Sequence, residues 1–307
     1  MEAVGNPLAT IDDVQRRLDD QGYIAERSLA TAIFLARRLE RPLLVEGEPG
    51  VGKTEIARVL AEVLDTRLVR LQCYEGIDVA QAVYDWDYAR QMLEIRLLEA
   101  SGERDERRVR REIFGRVFLL KRPLLQALEA PDGRAPVLLI DELDRADEEF
   151  EAFLLELLSD WQITVPEIGT FRAEHPPLVI VTSNRTREIH DALKRRCLYH
   201  WIPYPSFDKE LQIVRRKVTG VSEQLSQQLV TLVQELRQID LAKAPGLAET
   251  LDWAAALLAL ECSSLEMQMV DRSLGALVKD QEDLERTRER LPALIARAQE
   301  GARDLGI

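Results

Sequence analysis

A chain of 307 residues with 46% apolar residues and a formal net charge of −13 can bury a substantial core and is long enough for two domains. The negative charge argues against a protein that holds nucleic acid mainly by attraction to phosphates, and no apolar run approaches the roughly 18 residues of a membrane span. The three cysteines are odd in number, far apart and in no Cys-x-x-Cys pair, which argues against a disulfide framework and a zinc knuckle. Without a recognisable secretion signal at its N-terminus, the chain is predicted to work in the cytoplasm.

A glycine-rich loop between a strand and a helix is the first informative element. After a predicted helix over residues 28–41, residues 42–46 predict a short buried strand, and residues 55–64 have the apolar spacing of a helix. Between them the sequence fits the phosphate-loop pattern Gly-x-x-x-x-Gly-Lys-[Ser/Thr] at every fixed position, and the order strand, loop, helix disfavours a chance match. Backbone N–H groups of such a loop point at phosphate oxygens, while Lys53 reaches the β- and γ-phosphates and Thr54 ligates Mg²⁺. The predicted nucleotide-binding residues of the loop are Gly47, Glu48, Pro49, Gly50, Val51, Gly52, Lys53 and Thr54.

Four further strands are predicted from short apolar runs at residues 68–72, 136–140, 178–182 and 198–202. The second and third of these runs are continuously apolar, as expected for strands that are buried on both faces. Because strands alternate with helical segments, the sequence predicts an α/β fold with a parallel five-stranded sheet flanked by helices.

The strand signals stop near residue 205, and the rest of the chain is predicted to be helical. We therefore predict an α/β nucleotide-binding domain over residues 1–206 and a smaller, all-helical lid domain over residues 207–307. Within the first domain, residues 103–121 form an arginine-rich insertion. Its mixture of basic and acidic residues is typical of a solvated helical face, and the alternative is a surface that contacts a partner.

Two adjacent carboxylates follow the apolar run at residues 136–140. Side chains alternate along a strand, so Asp141 and Glu142 can take different tasks. Asp141 can hold Mg²⁺ through water, while Glu142 can face the γ-phosphate and polarise an attacking water. A strand end followed by an acidic helix cap is the alternative, and the phosphate loop upstream favours the functional interpretation.

Polar residues also lie at two later positions where a nucleotide site could use them. Asn184 follows the run at residues 178–182 and could orient the lytic water, because its amide both donates and accepts hydrogen bonds; a simple turn residue is the alternative. Arg195 and Arg196 precede the last predicted strand. They could complement the dipole at a helix end, or one of them, Arg196 in preference to Arg195, could stabilise the phosphoryl group in a neighbouring subunit's site.

The phosphate loop, the Asp-Glu strand, the polar-ended strand and the terminal arginines occur in the order typical of the AAA+ ATPases, which the chain resembles over nearly its whole length. Residues 141–146, Asp-Glu-Leu-Asp-Arg-Ala, and residues 153–158, Phe-Leu-Leu-Glu-Leu-Leu, are similar to the MoxR group. Residues 161–171 and the run Lys-Arg-Arg-Cys-Leu-Tyr-His-Trp resemble its CoxD-type branch, which is associated with carbon monoxide dehydrogenase maturation.

The resemblance implies a role for each motif. Residues 47–54 would be Walker A, Asp141 and Glu142 would be Walker B, Asn184 would be sensor 1, and Arg196 would be a finger that acts in trans. Catalysis would depend on these groups together with the Walker A lysine.

The resemblance also bears on three connecting segments. Residues 161–177 would be the hairpin before sensor 1, and Tyr23 and Ile24 would lie in a linker that lines the adenine pocket, with a hydrophobic staple as the alternative. Members of the wider class often carry a sensor-2 arginine at the start of a lid helix. The comparable region here, residues 246–253, contains no arginine.

Together the residues and the resemblance predict an ATP- and Mg²⁺-dependent ATPase that assembles into a ring, expected to be a hexamer, and remodels or activates a partner protein or metalloenzyme. The family implies a partner that carries a von Willebrand factor A domain. Two alternatives stay open. A stand-alone phosphate-loop kinase or GTPase is disfavoured by Glu142 and by the lack of an Asn-Lys-x-Asp motif, and a nucleotide-gated scaffold with little turnover has the same motifs.

Overall fold

The structure is a computed structural model that describes residues 7–100, 105–131 and 133–304. The helices are α1 Ile11–Asp20, α2 Arg27–Arg38, α3 Lys53–Val63, α4 Val79–Ala82, α5 Tyr88–Ala100, α6 Glu106–Ile113, α7 Pro123–Ala127, α8 Glu148–Asp160, α9 Asp191–Arg196, α10 Phe207–Lys217, α11 Glu223–Leu236, α12 Leu247–Ala259, α13 Met267–Leu277 and α14 Gln281–Asp304. The strands are β1 Leu43–Gly47, β2 Leu68–Gln72, β3 Tyr84–Trp86, β4 Leu119–Lys121, β5 Val137–Asp141, β6 Gln162–Val165, β7 Gly169–Arg172, β8 Leu178–Ser183 and β9 Leu198–Ile202. Within the described ranges, no helix has the length and apolar character needed to cross a membrane.

The chain folds into two compact units. The sheet unit comprises the described residues of Met1–Gln21, Ala25–Glu46 and Thr54–Trp201, and the helical unit comprises those of Gly22–Ile24, Gly47–Lys53 and Ile202–Ile307. The loop of the phosphate-binding motif is thus grouped with the helical unit, although the strand before it and most of the helix after it belong to the sheet unit. The long segment of the helical unit begins close to the domain boundary that the sequence predicts at residues 206 and 207.

A five-stranded parallel sheet forms the centre of the sheet unit, with the order β2-β5-β8-β1-β9, which confirms the predicted fold. Every residue of β1, β5 and β8 is buried, because central strands of such a sheet are covered on both faces. Strand β8 lies between β1 and β5, with Ile180 paired to Leu43 on one side and to Leu139 on the other. The carboxyl ends of these three strands therefore lie side by side, at the edge where open α/β sheets bind ligands.

The predicted strands differ little from the observed ones, and the differences concern their ends. β5 extends to Asp141 and β8 extends to Ser183, so the first Walker B carboxylate is the last residue of a strand rather than the first residue after it. The helix predicted over residues 28–41 ends earlier, at Arg38. Glu40 has a left-handed backbone with φ 51°, which reverses the chain before β1 because such a conformation cannot continue a right-handed helix.

A long connection between β2 and β5 carries the predicted insertion. β3 pairs antiparallel with β4, so α5 and α6 lie between two paired strands. The arginine-rich segment at residues 103–121 includes α6 and β4, and its first two residues, 103 and 104, lie outside the described residues. Trp86 of β3 packs edge-on against Phe114, with ring centroids 5.2 Å apart, and this contact anchors the end of α6. The hairpin predicted at residues 161–177 contains the antiparallel pair β6 and β7.

A buried ion pair stabilises the helical unit. Glu210 of α10 and Arg237 are both almost completely buried, and the guanidinium makes two 2.7 Å hydrogen bonds to the carboxylate. The Thr250 hydroxyl donates to the same carboxylate at 2.8 Å. Arg237 Nε also donates to the carbonyl oxygen of Pro245 at 2.7 Å. Loss of one partner of a buried pair costs about 3–5 kcal/mol, so this pair fixes the turn that leads into α12.

Candidate functional site

A threonine hydroxyl and a buried carboxylate meet at the carboxyl end of β5. Asp141 is 2% exposed, and Thr54 is the second residue of α3. The Thr54 hydroxyl donates to Asp141 Oδ1 at 3.0 Å, and the Thr182 hydroxyl donates to the same oxygen at 2.5 Å. Hydroxyl and carboxylate oxygens are hard donors of the kind that bind Mg²⁺. The structure therefore brings the two predicted magnesium ligands together, and their donor set fits the ion.

Glu142 follows β5 in a left-handed backbone conformation, with φ 53° and ψ 49°. Residues other than glycine adopt this conformation rarely, and strained residues of this kind cluster at functional sites. The Glu142 N–H donates to the Thr182 hydroxyl at 3.0 Å. Its Oε2 accepts a 3.0 Å hydrogen bond from Gln72 and lies 3.0 Å from Arg145 Nε. Because Oε1 makes no hydrogen bond to any described residue, it is the oxygen that can accept a proton from water.

Two side chains of β2 reach the same pair of carboxylates, although neither was predicted as a site residue. β2 runs beside β5 with Gln72 opposite Asp141. While Gln72 contacts Glu142, Arg70 Nη2 and Nε lie 2.6 and 3.1 Å from Asp141 Oδ2. Arg70 and Gln72 are two residues apart and so lie on one face of the strand. Their spacing is visible in the sequence, but the neighbouring strand is not.

Asn184 follows β8 in a segment that is held by a second buried acid. The Asn184 N–H donates to Asp144 Oδ1 at 3.2 Å, and the N–H and hydroxyl of Thr186 donate to Oδ2 at 2.9 and 2.6 Å. Asp144 is 3% exposed and lies in the 3₁₀ turn Leu143–Arg145 that follows Glu142. It therefore ties the backbone of the predicted water-orienting residue to the segment that carries the predicted base. The sequence analysis missed this positioning role.

The phosphate loop has positive φ angles at two of its three glycines, 71° at Gly50 and 91° at Gly52. Only glycine adopts such angles without steric cost. Lys53 is 7% exposed, and its ammonium donates to the carbonyl oxygens of Gly47 and Glu48 at 2.8 and 2.7 Å. The lysine thus lies within the loop, where the pattern predicts that it meets phosphates.

The start of α12 contacts the phosphate loop within the helical unit. The Ala248 N–H donates to the carbonyl oxygen of Gly50 at 3.0 Å. A Cβ at position 246 would lie 2.6 Å from the carbonyl oxygen of Pro49, a distance that side-chain carbons do not tolerate. This approach requires Gly246 and gives a physical reason why no arginine occupies the position.

The two candidate finger arginines lie at the end of α9, and both are exposed. Arg196 donates to the Ser159 hydroxyl on α8. The main chain of this segment is fixed by Arg41, whose guanidinium donates to the carbonyl oxygens of Arg196 at 2.9 Å, Arg195 at 2.6 Å and Cys197 at 3.3 Å. Carbonyl groups at a helix end lack partners within the helix, so Arg41 caps α9.

The remaining candidates have simpler surroundings. Tyr23 and Ile24 lie half-buried in the loop between α1 and α2, and their place at an adenine pocket stays a prediction. All three cysteines are free. Burial, reinforced by the charge of Asp141, raises the pKa of the Cys73 thiol to about 12, so this thiol remains protonated and unreactive near neutral pH.

Comparison with known proteins gives one match at the level of a family. A profile of the AAA domain, dynein-related subfamily, matches residues 42–197, just over half of the chain. The matched region runs from the start of the phosphate-loop strand to the end of α9 and contains Asp141, Glu142, Asn184 and Arg196.

Individual relatives are more distant. The chain is 28% identical over 207 residues to Lon protease of Heliobacterium modesticaldum, in a match that covers 63% of the chain and only 20% of the protease. It is 24% identical over 258 residues to an uncharacterized protein of Staphylococcus aureus (strain bovine RF122 / ET3-1), covering 82% of the chain and 88% of that protein. Among solved structures, the RuvB Holliday junction branch migration motor of Thermotoga maritima is 16% identical, with coverage of 98% of the chain and 86% of that chain and a TM-score of 0.47.

Proposed function

Because the chain belongs to the AAA domain family, in its dynein-related subfamily, we propose that it hydrolyses ATP with Mg²⁺ and uses the reaction to remodel a partner protein. The observation that carries this proposal is the meeting of Thr54, Asp141 and Glu142 at the carboxyl end of β5. Hard oxygen donors stand there beside a carboxylate with an oxygen open to water. ATP hydrolysis needs that combination.

Binding of the substrate falls to the phosphate loop. The N–H groups of residues 47–54 and the ammonium of Lys53 bind the phosphate oxygens of ATP. Thr54 and Asp141 hold Mg²⁺, which neutralises charge on the phosphates when it is bound. In the structure these two side chains already share a hydrogen bond, so little rearrangement is needed to hold the ion.

Hydrolysis falls to the residues that follow β5 and β8. Glu142 accepts a proton from the attacking water through Oε1, because Gln72 and Arg145 engage only Oε2. Asn184 orients that water with its side-chain amide. Asp144 keeps the backbone of Asn184 in place through the hydrogen bond to its N–H.

A ring, and specifically a hexamer, is the assembly we propose, with Arg196 of each subunit completing its neighbour's site. Turnover per chain is then expected to rise with protein concentration over the range in which the ring assembles, because an isolated chain lacks the neighbour's guanidinium. ATP turnover and molecular mass are to be measured on the same dilution series. Constant turnover per chain down to the monomer would contradict the ring and favour a stand-alone kinase or GTPase. Tight ATP binding without turnover at any concentration would favour a nucleotide-gated scaffold.

For the partner, we propose a protein with a von Willebrand factor A domain and a metalloenzyme client, by analogy with the MoxR group and its CoxD-type branch. The insertion at residues 103–121 supplies a basic surface that could dock an acidic face of the partner. The Glu142→Gln variant, which should retain ATP, is expected to capture that partner in a pull-down identified by mass spectrometry. The matched variant replaces four insertion arginines by Ser: Arg107, Arg108, Arg110 and Arg111.

Equal capture by both proteins would exclude the insertion as the docking site. Capture of no von Willebrand factor A protein in any nucleotide state, from the organism's own extract, would contradict the partner assignment. The ATPase proposal would stand in either case, because it depends on the residues at the carboxyl ends of the strands.

A further inference from the structure

Arg70 holds the oxygen of Asp141 that the two hydroxyls leave open. Thr54 and Thr182 both donate to Oδ1, whereas Oδ2 accepts from Arg70 Nη2 at 2.6 Å and from Nε at 3.1 Å. Both oxygens of the carboxylate are therefore engaged. The guanidinium is the cation at Oδ2, and the two hydroxyls add no charge.

The two partners differ sharply in their exposure to solvent. The side chain of Asp141 is 3% exposed, and that of Arg70 is 53% exposed. A buried carboxylate without a cation is costly, because burial removes its hydration. An arginine that is half in water can instead leave its partner and regain hydration at little cost. The pair is thus strongly needed by Asp141 and weakly needed by Arg70.

We propose that Arg70 is a placeholder cation that neutralises Asp141 until Mg²⁺ is bound and that yields Oδ2 to the ion. The inference rests on the proposed function, in which Asp141 holds Mg²⁺. Arg70 is a positioning residue in this scheme, because it acts through Asp141 and not on the substrate. Its hydrogen bond to Gln72 Oε1, at 2.5 Å, gives the guanidinium a second acceptor on its own strand when Asp141 is taken.

The test is the Mg²⁺ dependence of nucleotide binding, which needs no turnover. A fluorescent ATP analogue is titrated with Mg²⁺ in the presence of wild-type protein and of Arg70→Ala. Because the variant lacks the competitor for Asp141, its half-saturating Mg²⁺ concentration is expected to fall about tenfold, the change expected from removing an ion pair of moderate strength. Arg70→Lys is expected to lie between the two, since an ammonium keeps the charge but cannot bind through two nitrogens.

Arg145→Ala is the matched control. It removes the same charge beside the neighbouring carboxylate, since Arg145 pairs with Glu142, and it leaves the pair formed by Arg70 and Asp141 intact. The half-saturating Mg²⁺ concentration of this variant is expected to stay within about twofold of wild type, because no competitor for the ion is lost. An equal fall in both variants would overturn the inference, since a general charge effect would then explain it.

A second measurement follows the pair itself. In EDTA without nucleotide, the melting temperatures of Arg70→Ala, Asp141→Asn and the double variant are expected to show coupling between the two positions. The coupling is expected to disappear in Arg70→Lys/Asp141→Asn compared with Asp141→Asn alone. Additive effects in EDTA, or an unchanged half-saturating Mg²⁺ concentration in Arg70→Ala, would overturn the inference while the ATPase proposal stands. If wild-type protein binds nucleotide without any Mg²⁺ dependence, the proposed magnesium site fails and the inference falls with it.

Discussion

Replacing Glu142 by Gln is expected to reduce ATP turnover by at least about 10²- to 10⁴-fold, the contribution of a positioned general base, while ATP binding stays intact. The substitution keeps the size of the side chain and the acceptor for Gln72, which lies 3.0 Å from Oε2. It removes the basic oxygen that takes the proton of water. Single-turnover rates and equilibrium binding of ATP, measured on the same preparation, separate the two effects.

Lys53→Ala is the companion variant with the opposite expectation. The ammonium meets charge that is already present on bound ATP, so its loss is expected to weaken binding itself, whereas Glu142 is needed only when water attacks. Lys53 is buried and hydrogen-bonded to two loop carbonyls, so melting temperature must be checked before the binding result is interpreted. Turnover at the wild-type rate in Glu142→Gln would refute the assignment of the base, whatever Lys53→Ala does.

The fold could be predicted because its signals are local. Each central strand is a continuous apolar run, and the polar residues that end these runs, such as Asp141 and Asn184, lie at the strand ends that face the site. Parallel strands bring their carboxyl ends to one edge, so the sequence order of strand, loop and helix was enough to place Thr54 near Asp141. The hydrogen bond between these two side chains is the geometric counterpart of that argument.

The partners of these residues could not be predicted, because they depend on which strands are neighbours. Arg70 and Gln72 look like polar residues on an ordinary half-exposed strand, and only the pairing of β2 with β5 brings them to the carboxylates. Asp144 follows Asp141 by three residues, but its task depends on the segment after β8. The absence of an arginine near α12 was visible in the sequence, whereas the reason, a backbone approach that Gly246 alone permits, required coordinates.

Arg196→Ala is expected to lower turnover by about 10³-fold or more, the loss seen when an arginine finger is removed, with ATP binding unchanged. The exposed position of Arg196 at the end of α9 makes its side chain accessible to a neighbouring subunit. Arg41 holds the main chain of this segment through three carbonyl groups, so truncating the Arg196 side chain is not expected to move the backbone. Arg195→Ala is the matched control, because it removes the same charge from the adjacent exposed position.

Mixing experiments decide whether Arg196 acts in trans. Arg196→Ala and Glu142→Gln proteins are each expected to be inactive, yet rings that contain both should recover part of the activity. In such a ring, some interfaces combine an intact Glu142 in one subunit with an intact Arg196 from its neighbour, and those sites are complete. Turnover is to be measured across several mixing ratios, with subunit exchange verified by mass spectrometry. A residue that served only its own subunit would give no recovery at any ratio, and a larger loss in Arg195→Ala than in Arg196→Ala would transfer the finger role to Arg195.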